Sequence, residues 1–245
     1  MSRANDLALA LEAAKAAGDA LAERSEAFQG VDSEIGRDVK LKADKAAEAI
    51  ILGTLQSSSS HAILAEEGGW QGPPSGTAWV VDPLDGSANY LREIPMCVVS
   101  IGLIEDGKPV LGVIYNFNNG DIYAGAVGEG AMLNGNSMRV SDIAEPHRAT
   151  LATGVPHSED LTDGDFADLG RSFSEWKKVR MIGSTALSAA YVAAGKYDRL
   201  SESAMLWDIA AGAALVEAAG GRVQLGTGPL DQSMTILCDN GVLPL

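Results

Sequence analysis

The chain has 245 residues, of which 46% are hydrophobic, and this content can bury a large core in one domain or in two closely packed halves. Its 33 acidic residues outnumber the 18 Lys and Arg residues, which gives a net charge of −15. Because a surface of that charge repels phosphate backbones and anionic lipids, we expect no nucleic-acid and no membrane partner.

The N-terminal segment predicts an amphipathic helix over residues 1–28, with Leu7, Leu11 and Ala14 on one face and charged residues on the other. The segment lacks the unbroken apolar core of a signal peptide, so we expect a cytoplasmic protein. A second helix is predicted over residues 40–56.

Short apolar strands alternate with turns after a serine-rich loop. Strands are predicted at residues 97–104, 109–117 and 122–127, and the turns between them contain Asp-Gly and Asn-Gly pairs, which favour hairpins. Further helices are predicted over residues 184–194 and 209–221. Helices on both sides of a largely antiparallel sheet predict a layered α+β fold, with a second, smaller sheet after about residue 150.

One buried strand leads into a group of polar residues. An apolar run ends at Asp82, and because Pro83 cannot donate to a sheet ladder, we expect the strand to stop there and free the Leu84 carbonyl. A sharp turn containing Asp85 should follow. Ser87 suits the N-cap of a short helix, whose free N–H groups could receive an anion. Taken alone, the same residues also fit an ordinary Asp turn with a helix cap.

Other acidic residues stand at predicted element ends. Glu66 and Glu67 follow another apolar run, and Asp208 precedes the helix at 209–221, where it could simply be an N-cap. Carboxylates that meet in one cleft raise each other's pKa and destabilise the fold unless a cation neutralises them. Mg²⁺ prefers oxygen ligands and keeps several waters, which leaves positions open for a substrate phosphate. The acidic residues therefore predict a Mg²⁺ site.

Four segments together resemble the inositol monophosphatase family of Mg²⁺-dependent phosphatases. In family order they are KADKAAEAI at 42–50, AEEGG at 65–69, WVVDPLDGSANY at 79–90 and WDIAAGAALVEAAGG at 207–221. The resemblance implies an α/β/α/β/α sandwich of the inositol monophosphatase and fructose-1,6-bisphosphatase type, and a homodimer. We expect an N-terminal half, 1–148, to carry most metal ligands, and a C-terminal half, 149–245, to complete the active site.

The resemblance also implies a set of oxygen ligands for two or three Mg²⁺ ions. The ligands of the first ion would be Glu66, Asp82 and the carbonyl of Leu84. The second ion would share Asp82 and add Asp85 and Asp208. A third, weaker site would include Glu67.

The catalytic and substrate contacts implied by the family lie around the same segments. Asp44 and the hydroxyl of Ser87 would hold the attacking water, although most members carry Thr at the latter position. The phosphate would rest on the backbone N–H groups of Gly86 and Ser87, and the alcohol would meet Gly183 and Ser184. Two of these residues also have a plainer interpretation, since Asp44 could be an exposed helix charge and Gly183 a turn glycine.

The family resemblance also indicates the class of substrate. A Glu shortly before the family's Trp-Asp pair contacts substrate hydroxyls in inositol-specific relatives, and Glu202 is the nearest candidate, one residue closer to Trp207 than expected. We expect inositol 1-phosphate as substrate. Histidinol phosphate, fructose bisphosphate and 3′-phosphoadenosine 5′-phosphate remain alternatives, the last ranked lower because Ser87-Ala88 replaces the usual Thr-Lys pair. A catalytically silent, metal-binding regulator is the alternative from another class, and the retained acidic ligands argue against it.

Overall fold

The computed structural model describes residues 2–25, 28, 30–35, 38–74, 76–155 and 162–245. Within these residues the helices are α1 Arg3–Glu23, α2 Lys42–Ser58, α3 Ser87–Leu91, α4 Asp163–Phe173, α5 Thr185–Ala193 and α6 Leu206–Ala218. The strands are β1 Val31–Ile35, β2 Asp38–Leu41, β3 Ala62–Ala65, β4 Gly69–Gln71, β5 Thr77–Asp85, β6 Val98–Glu105, β7 Lys108–Asn116, β8 Asp121–Ala126, β9 Gly130–Leu133, β10 Asn136–Met138, β11 Thr150–Ala152, β12 Lys178–Arg180, β13 Arg199–Ala204, β14 Arg222–Leu225 and β15 Met234–Asp239.

The larger sheet has eight strands in the order β10-β9-β8-β7-β6-β5-β3-β4. Its pairs are antiparallel except β3 with β5, which run parallel. The predicted hairpins are confirmed at β6, β7 and β8. Asp106 and Gly107, which connect β6 to β7, both have positive φ (49° and 78°), as the favoured two-residue hairpin turns require.

Helices cover both faces of this sheet. On one face α1 and α2 form a core with alternate residues of β5, β6 and β7. On the other face α5 and α6 pack, and α6 crosses the sheet at very short range. A Cβ added to Gly102 would lie 2.9 Å from the Cβ of Ala210, and one added to Gly112 would lie 2.1 Å from the carbonyl oxygen of Ala211. Only glycine at these two positions allows α6 to lie so close to β6 and β7.

A second sheet of five strands begins at Thr150, in the order β12-β11-β13-β15-β14. It packs against the side of α5 and α6 that faces away from the larger sheet. The predicted smaller sheet and the layered α+β fold are therefore confirmed. Division of the chain into halves at residue 148 stays a prediction.

The predicted extent of the N-terminal helix is wrong. Helix α1 ends at Glu23 rather than at residue 28, and Arg24 follows it in the left-handed conformation, with φ 48°. Ala14 is buried against the sheet as predicted, together with Leu9 and Leu21, whereas Leu7 and Leu11 pack against this core and are only partly buried. The helix lies close to the sheet at Gly18, where an added Cβ would lie 2.4 Å from Cδ1 of Tyr115. Among the described residues, no helix combines the length and the apolar character needed to cross a membrane.

Candidate active site

The parallel pairing of β3 and β5 brings the first two acidic residues together. Ala65 pairs with Val81, so the residues that follow them, Glu66 and Asp82, lie side by side. The backbone N–H of Glu66 donates to the carbonyl oxygen of Val81 at 3.1 Å, which fixes this register.

Strand β5 does not stop at Asp82, contrary to the sequence-based prediction. The ladder with β6 pairs Asp82 with Ser100 and then Asp85 with Val98, so β5 carries an extra residue as a bulge. The bulge contains Pro83, where no N–H is needed for the ladder, and the Leu84 N–H donates to Asp82 Oδ1 at 2.9 Å. In a regular strand, residues three apart face opposite sides, and the bulge instead turns both carboxylates to the side of α6.

Helix α6 supplies a third carboxylate to the same place. Asp208 is not the N-cap, as one reading of the sequence proposed, because Met205 occupies that position and Asp208 lies in the first turn. The Met205 N–H donates to Asp208 Oδ2 at 2.9 Å. Asp82, Asp85 and Asp208 each present one carboxylate oxygen, and these three atoms lie within 4.8 Å of one another.

The acidic residues at this site have raised pKa values, because they are buried close to one another. Burial, together with the charges of Asp208 and Asp44, raises the pKa of Glu66 to about 8. Burial together with Asp85 raises the pKa of Asp208 to about 8, and burial together with Glu66 holds the pKa of Asp82 well above its usual range. Among the residues that the structure describes, no Lys or Arg forms an ion pair with Glu66, Asp82, Asp85 or Asp208. A set of crowded, buried oxygen donors without a protein cation fits Mg²⁺.

Hydrogen bonds from the start of α5 hold Asp85. The Ser184 hydroxyl and the Ala186 N–H donate to Asp85 Oδ2, and the Thr185 N–H donates to Asp85 Oδ1 at 3.2 Å. Burial raises the pKa of Asp85 to about 6, and these hydrogen bonds limit the rise because they stabilise the charged form. The N–H contacts of Thr185 and Ala186 with Asp85 could not be predicted from the sequence, because a backbone donor is the same in every residue type except proline.

These raised pKa values predict how the stability of the metal-free protein depends on pH. The folded state binds protons more tightly than the unfolded chain, so the stabilisation is complete below the unfolded pKa of about 4 and is lost as the pH rises through about 8. We expect the Tm in EDTA to fall over this range and the Tm increase caused by Mg²⁺ to grow. Differential scanning fluorimetry with and without Mg²⁺ measures both, and a Mg²⁺ effect that is constant with pH would contradict the prediction.

Asp44 and Ser87 are joined by a hydrogen bond beside this group. The Ser87 hydroxyl lies 2.7 Å from Asp44 Oδ1 and 3.0 Å from the Leu84 carbonyl oxygen, both of which can accept its single hydrogen. Asp44 is 2% exposed and also accepts the Leu41 N–H, so its interpretation as an exposed helix charge is wrong.

Ser87 is the first residue of α3 and not its N-cap. Gly86 occupies the cap with φ 91°, a conformation that favours glycine, and a Cβ there would lie 2.7 Å from the Met96 carbonyl oxygen. The shift by one residue releases the Ser87 hydroxyl from capping and leaves it available to Asp44.

The remaining candidate residues lie around this centre. Glu67 is half-buried, and its N–H donates to Glu48 Oε2 at 2.9 Å, a contact that the sequence analysis missed. Glu202 accepts a hydrogen bond from the Thr185 hydroxyl at 2.7 Å, and burial raises the pKa of its carboxyl group. Its charge also acts on Asp85. The structure thus places Glu202 beside the acidic group.

The layered sandwich, with carboxylates gathered from the ends of β3 and β5 and the start of α6, defines a fold of the inositol monophosphatase and fructose-1,6-bisphosphatase type. The solved structure of an inositol monophosphatase from Anabaena superimposes with a TM-score of 0.84 at 36% sequence identity, covering 97% of this chain and 91% of that one.

The sequence comparisons agree. The profile of the inositol monophosphatase family matches residues 3–243, and the chain belongs to this family. The protein called Nus factor SuhB of Salmonella typhimurium is 37% identical over 235 residues, which are 94% of this chain and 88% of the relative. An inositol-1-monophosphatase of Mesorhizobium japonicum is 36% identical over 247 residues, 98% of this chain and 91% of that relative.

Proposed function

We propose that the protein is a Mg²⁺-dependent phosphatase that hydrolyses a small phosphate monoester. The observation that carries this proposal is the proximity of two arrangements: the carboxylates of Asp82, Asp85 and Asp208, which have no Lys or Arg ion-pair partner among the described residues, and the hydrogen-bonded Asp44–Ser87 pair, whose Asp44 charge acts on Glu66. Family membership supports the same activity.

In this proposal the acidic residues hold two or three Mg²⁺ ions. Their ligands are Glu66, Glu67, Asp82, the Leu84 carbonyl, Asp85 and Asp208. When bound, Mg²⁺ would lower the pKa of water and neutralise phosphate oxygens during in-line attack. Asp44 would accept the proton of the attacking water through the Ser87 hydroxyl, so no side chain has to act as nucleophile.

The substrate would contact two parts of the chain, one with its phosphate and one with its alcohol. Its phosphate would lie on the N–H groups of Gly86 and Ser87, because the first N–H groups of a helix have no intrahelical acceptor. Its alcohol would face Gly183, Ser184 and Glu202. Inositol 1-phosphate is our preferred substrate, since the carboxylate of Glu202 can accept hydrogen bonds from a polyol. The homodimer and the cytoplasmic location stay predictions.

Metal removal tests the proposed reaction. Excess EDTA should reduce phosphate release to background, Mg²⁺ should restore it, and Ca²⁺ should not, because Ca²⁺ is larger and accepts irregular coordination. Phosphate release from a panel of monoesters and bisphosphates, including the four candidate substrates, is the measurement. Full activity in EDTA would refute the metal-dependent mechanism.

The name of the Salmonella relative, Nus factor SuhB, supports a second candidate function, that of a metal-binding regulator without catalysis. The two candidates differ in one result. A regulator would show a Mg²⁺-dependent rise in Tm but no turnover of any ester on the panel, whereas the phosphatase would show both.

Glu202→Gln distinguishes the two main substrates. The variant retains hydrogen bonding but removes the charge that would pair with the ammonium group of histidinol phosphate. If the amine is recognised, kcat/KM for histidinol phosphate should fall about tenfold or more, and that for inositol 1-phosphate much less. Asp165→Asn, an exposed acid on α4, is the control for removing one negative charge. Preference of the parent for 3′-phosphoadenosine 5′-phosphate would refute a one-phosphate substrate.

A further inference from the structure

We propose that Asn89 is a positioning residue, which clamps the loop before α5 against the phosphate-binding turn and thereby sets the affinity for the alcohol part of the substrate. The proposal rests on the proposed phosphatase function. The side-chain amide of Asn89 donates its hydrogen bonds to backbone carbonyl groups, and the residue has no direct part in the chemistry.

The side chain of Asn89 joins two distant segments of the chain. Its amide nitrogen donates to the carbonyl oxygens of Met96 and Ile182, each at 2.8 Å, and lies 3.3 Å from the carbonyl oxygen of Gly183. Because carbonyl oxygens only accept, the atom between them must be the NH₂ group, and both of its hydrogens are used. The short helix α3 is thus tied to a loop 93 residues further along the chain.

The loop lies so close to Asn89 that its conformation depends on this contact. Gly183 has φ 70°, and a Cβ at this position would lie 3.2 Å from the amide nitrogen of Asn89. The next residue, Ser184, donates its hydroxyl to Asp85. The segment is therefore held at one end by Asp85 and at the other by Asn89.

Removal of the clamp should free one end only. Asp85 keeps the N–H donors of Thr185 and Ala186, which belong to α5, a helix whose apolar residues lie in the core. On the other side, α3 keeps its position because Tyr90 is buried and its hydroxyl donates to the Leu21 carbonyl oxygen at 2.9 Å. The metal ligand and the phosphate-binding turn should stay in place while residues 182–183 become free to move.

The inhibition constant of inorganic phosphate depends on the phosphate site alone, whereas KM for the substrate also depends on the alcohol site. In Asn89→Ala we expect KM for inositol 1-phosphate to rise about tenfold, as the loss of two hydrogen bonds allows. The inhibition constant of inorganic phosphate and the Mg²⁺ midpoint should change less than about twofold, because the phosphate-binding turn and the metal ligands should stay in place. Asn89→Asp, which keeps the size but turns a carboxylate oxygen toward the carbonyls, should raise KM at least as much.

Asn118→Ala is the matched control. The amide nitrogen of Asn118 also donates to backbone, at 3.0 Å to the Cys97 carbonyl oxygen, one residue from the Met96 acceptor of Asn89. Its side chain hydrogen-bonds with Cys97 and Asn116, and among the described residues it forms no hydrogen bond with residues 182–183. This variant should lower the Tm to a similar extent but leave KM unchanged.

The outcomes decide the proposal. A lower Tm with unchanged KM would make Asn89 purely structural, and an equal loss of inorganic phosphate affinity would show that the phosphate turn had moved; either overturns it. Asn89→Asp takes the place of Asn89→Ala if the latter does not fold. If the parent hydrolyses no ester, the proposed phosphatase function fails, and calorimetric binding of inositol 1-phosphate against inorganic phosphate to the Mg²⁺-loaded parent and variants still tests the clamp.

Discussion

Asp208→Asn is expected to abolish phosphatase activity and, at the same time, to raise the Tm of the metal-free protein. The substitution removes one of the crowded carboxylate charges. Without Mg²⁺ this charge destabilises the fold, and with Mg²⁺ it is needed to bind the ion. Changing a residue that only hydrogen-bonds to a metal ligand typically lowers activity roughly 10–100-fold, and loss of the ligand charge itself should lower kcat/KM by more than that. Each kcal/mol of relieved repulsion raises the Tm by about 2–4 °C in a chain of this size.

The structural role of Asp208 is preserved in this variant, because the amide oxygen of Asn can still accept the Met205 N–H. Asp165→Asn is the matched control: Asp165 occupies the same position in the first turn of α4 and accepts the Thr162 N–H at 2.7 Å. That control should leave activity and the Mg²⁺ response unchanged. Calorimetric titration with Mg²⁺ measures the loss of affinity, and parent-like Mg²⁺ binding by Asp208→Asn would refute the assignment of this ligand.

Ser87→Ala is expected to reduce kcat by roughly 10²–10³-fold while the Mg²⁺ midpoint stays within about twofold of the parent value. The Ser87 hydroxyl contacts Asp44 and the Leu84 carbonyl oxygen, and it is not one of the proposed metal ligands. Its loss should therefore remove the path by which the attacking water gives its proton to Asp44, and leave metal binding intact.

Ser87→Thr controls for the shape of the site. It restores the hydroxyl and adds a methyl group that restricts the χ1 rotamer, so kcat should be equal to or above that of the parent. Initial rates at saturating substrate, measured over a Mg²⁺ series, separate kcat from metal affinity. If Ser87→Ala lost metal affinity and kcat to the same extent, the hydroxyl would serve the metal site and not proton transfer.

Much of the architecture follows from local patterns in the sequence. Asp106-Gly107 lies between two apolar runs of β-branched residues, and only a hairpin satisfies both the turn and the strands. The alanine-rich helices and the acidic residues at element ends are equally local. The family resemblance predicts the fold type, and the family match and the superposition on the Anabaena structure confirm this prediction.

The stretch around Pro83 shows the limit of local reasoning. The proline is correctly read as unable to join a ladder, yet the strand continues because β6 pairs again at Val98 and accommodates the extra residue. Whether a strand ends or forms a bulge depends on the partner strand, which is remote in sequence. The same reason applies to Ser87, whose local sequence predicts an N-cap, because the left-handed turn at Gly86 depends on its contact with Met96.

The residue types that could form the site are evident from local sequence: acids after apolar runs, a hydroxyl after a glycine and an Asp early in α2. Which of these residues meet depends on the folded chain, because the parallel register of β3 and β5, the bulge in β5 and the close crossing of α6 are all long-range contacts. The backbone donors to Asp85 and the Asn89 clamp belong to the same class. A backbone N–H or carbonyl is the same in every residue, so its role emerges only when packing brings a side chain to it.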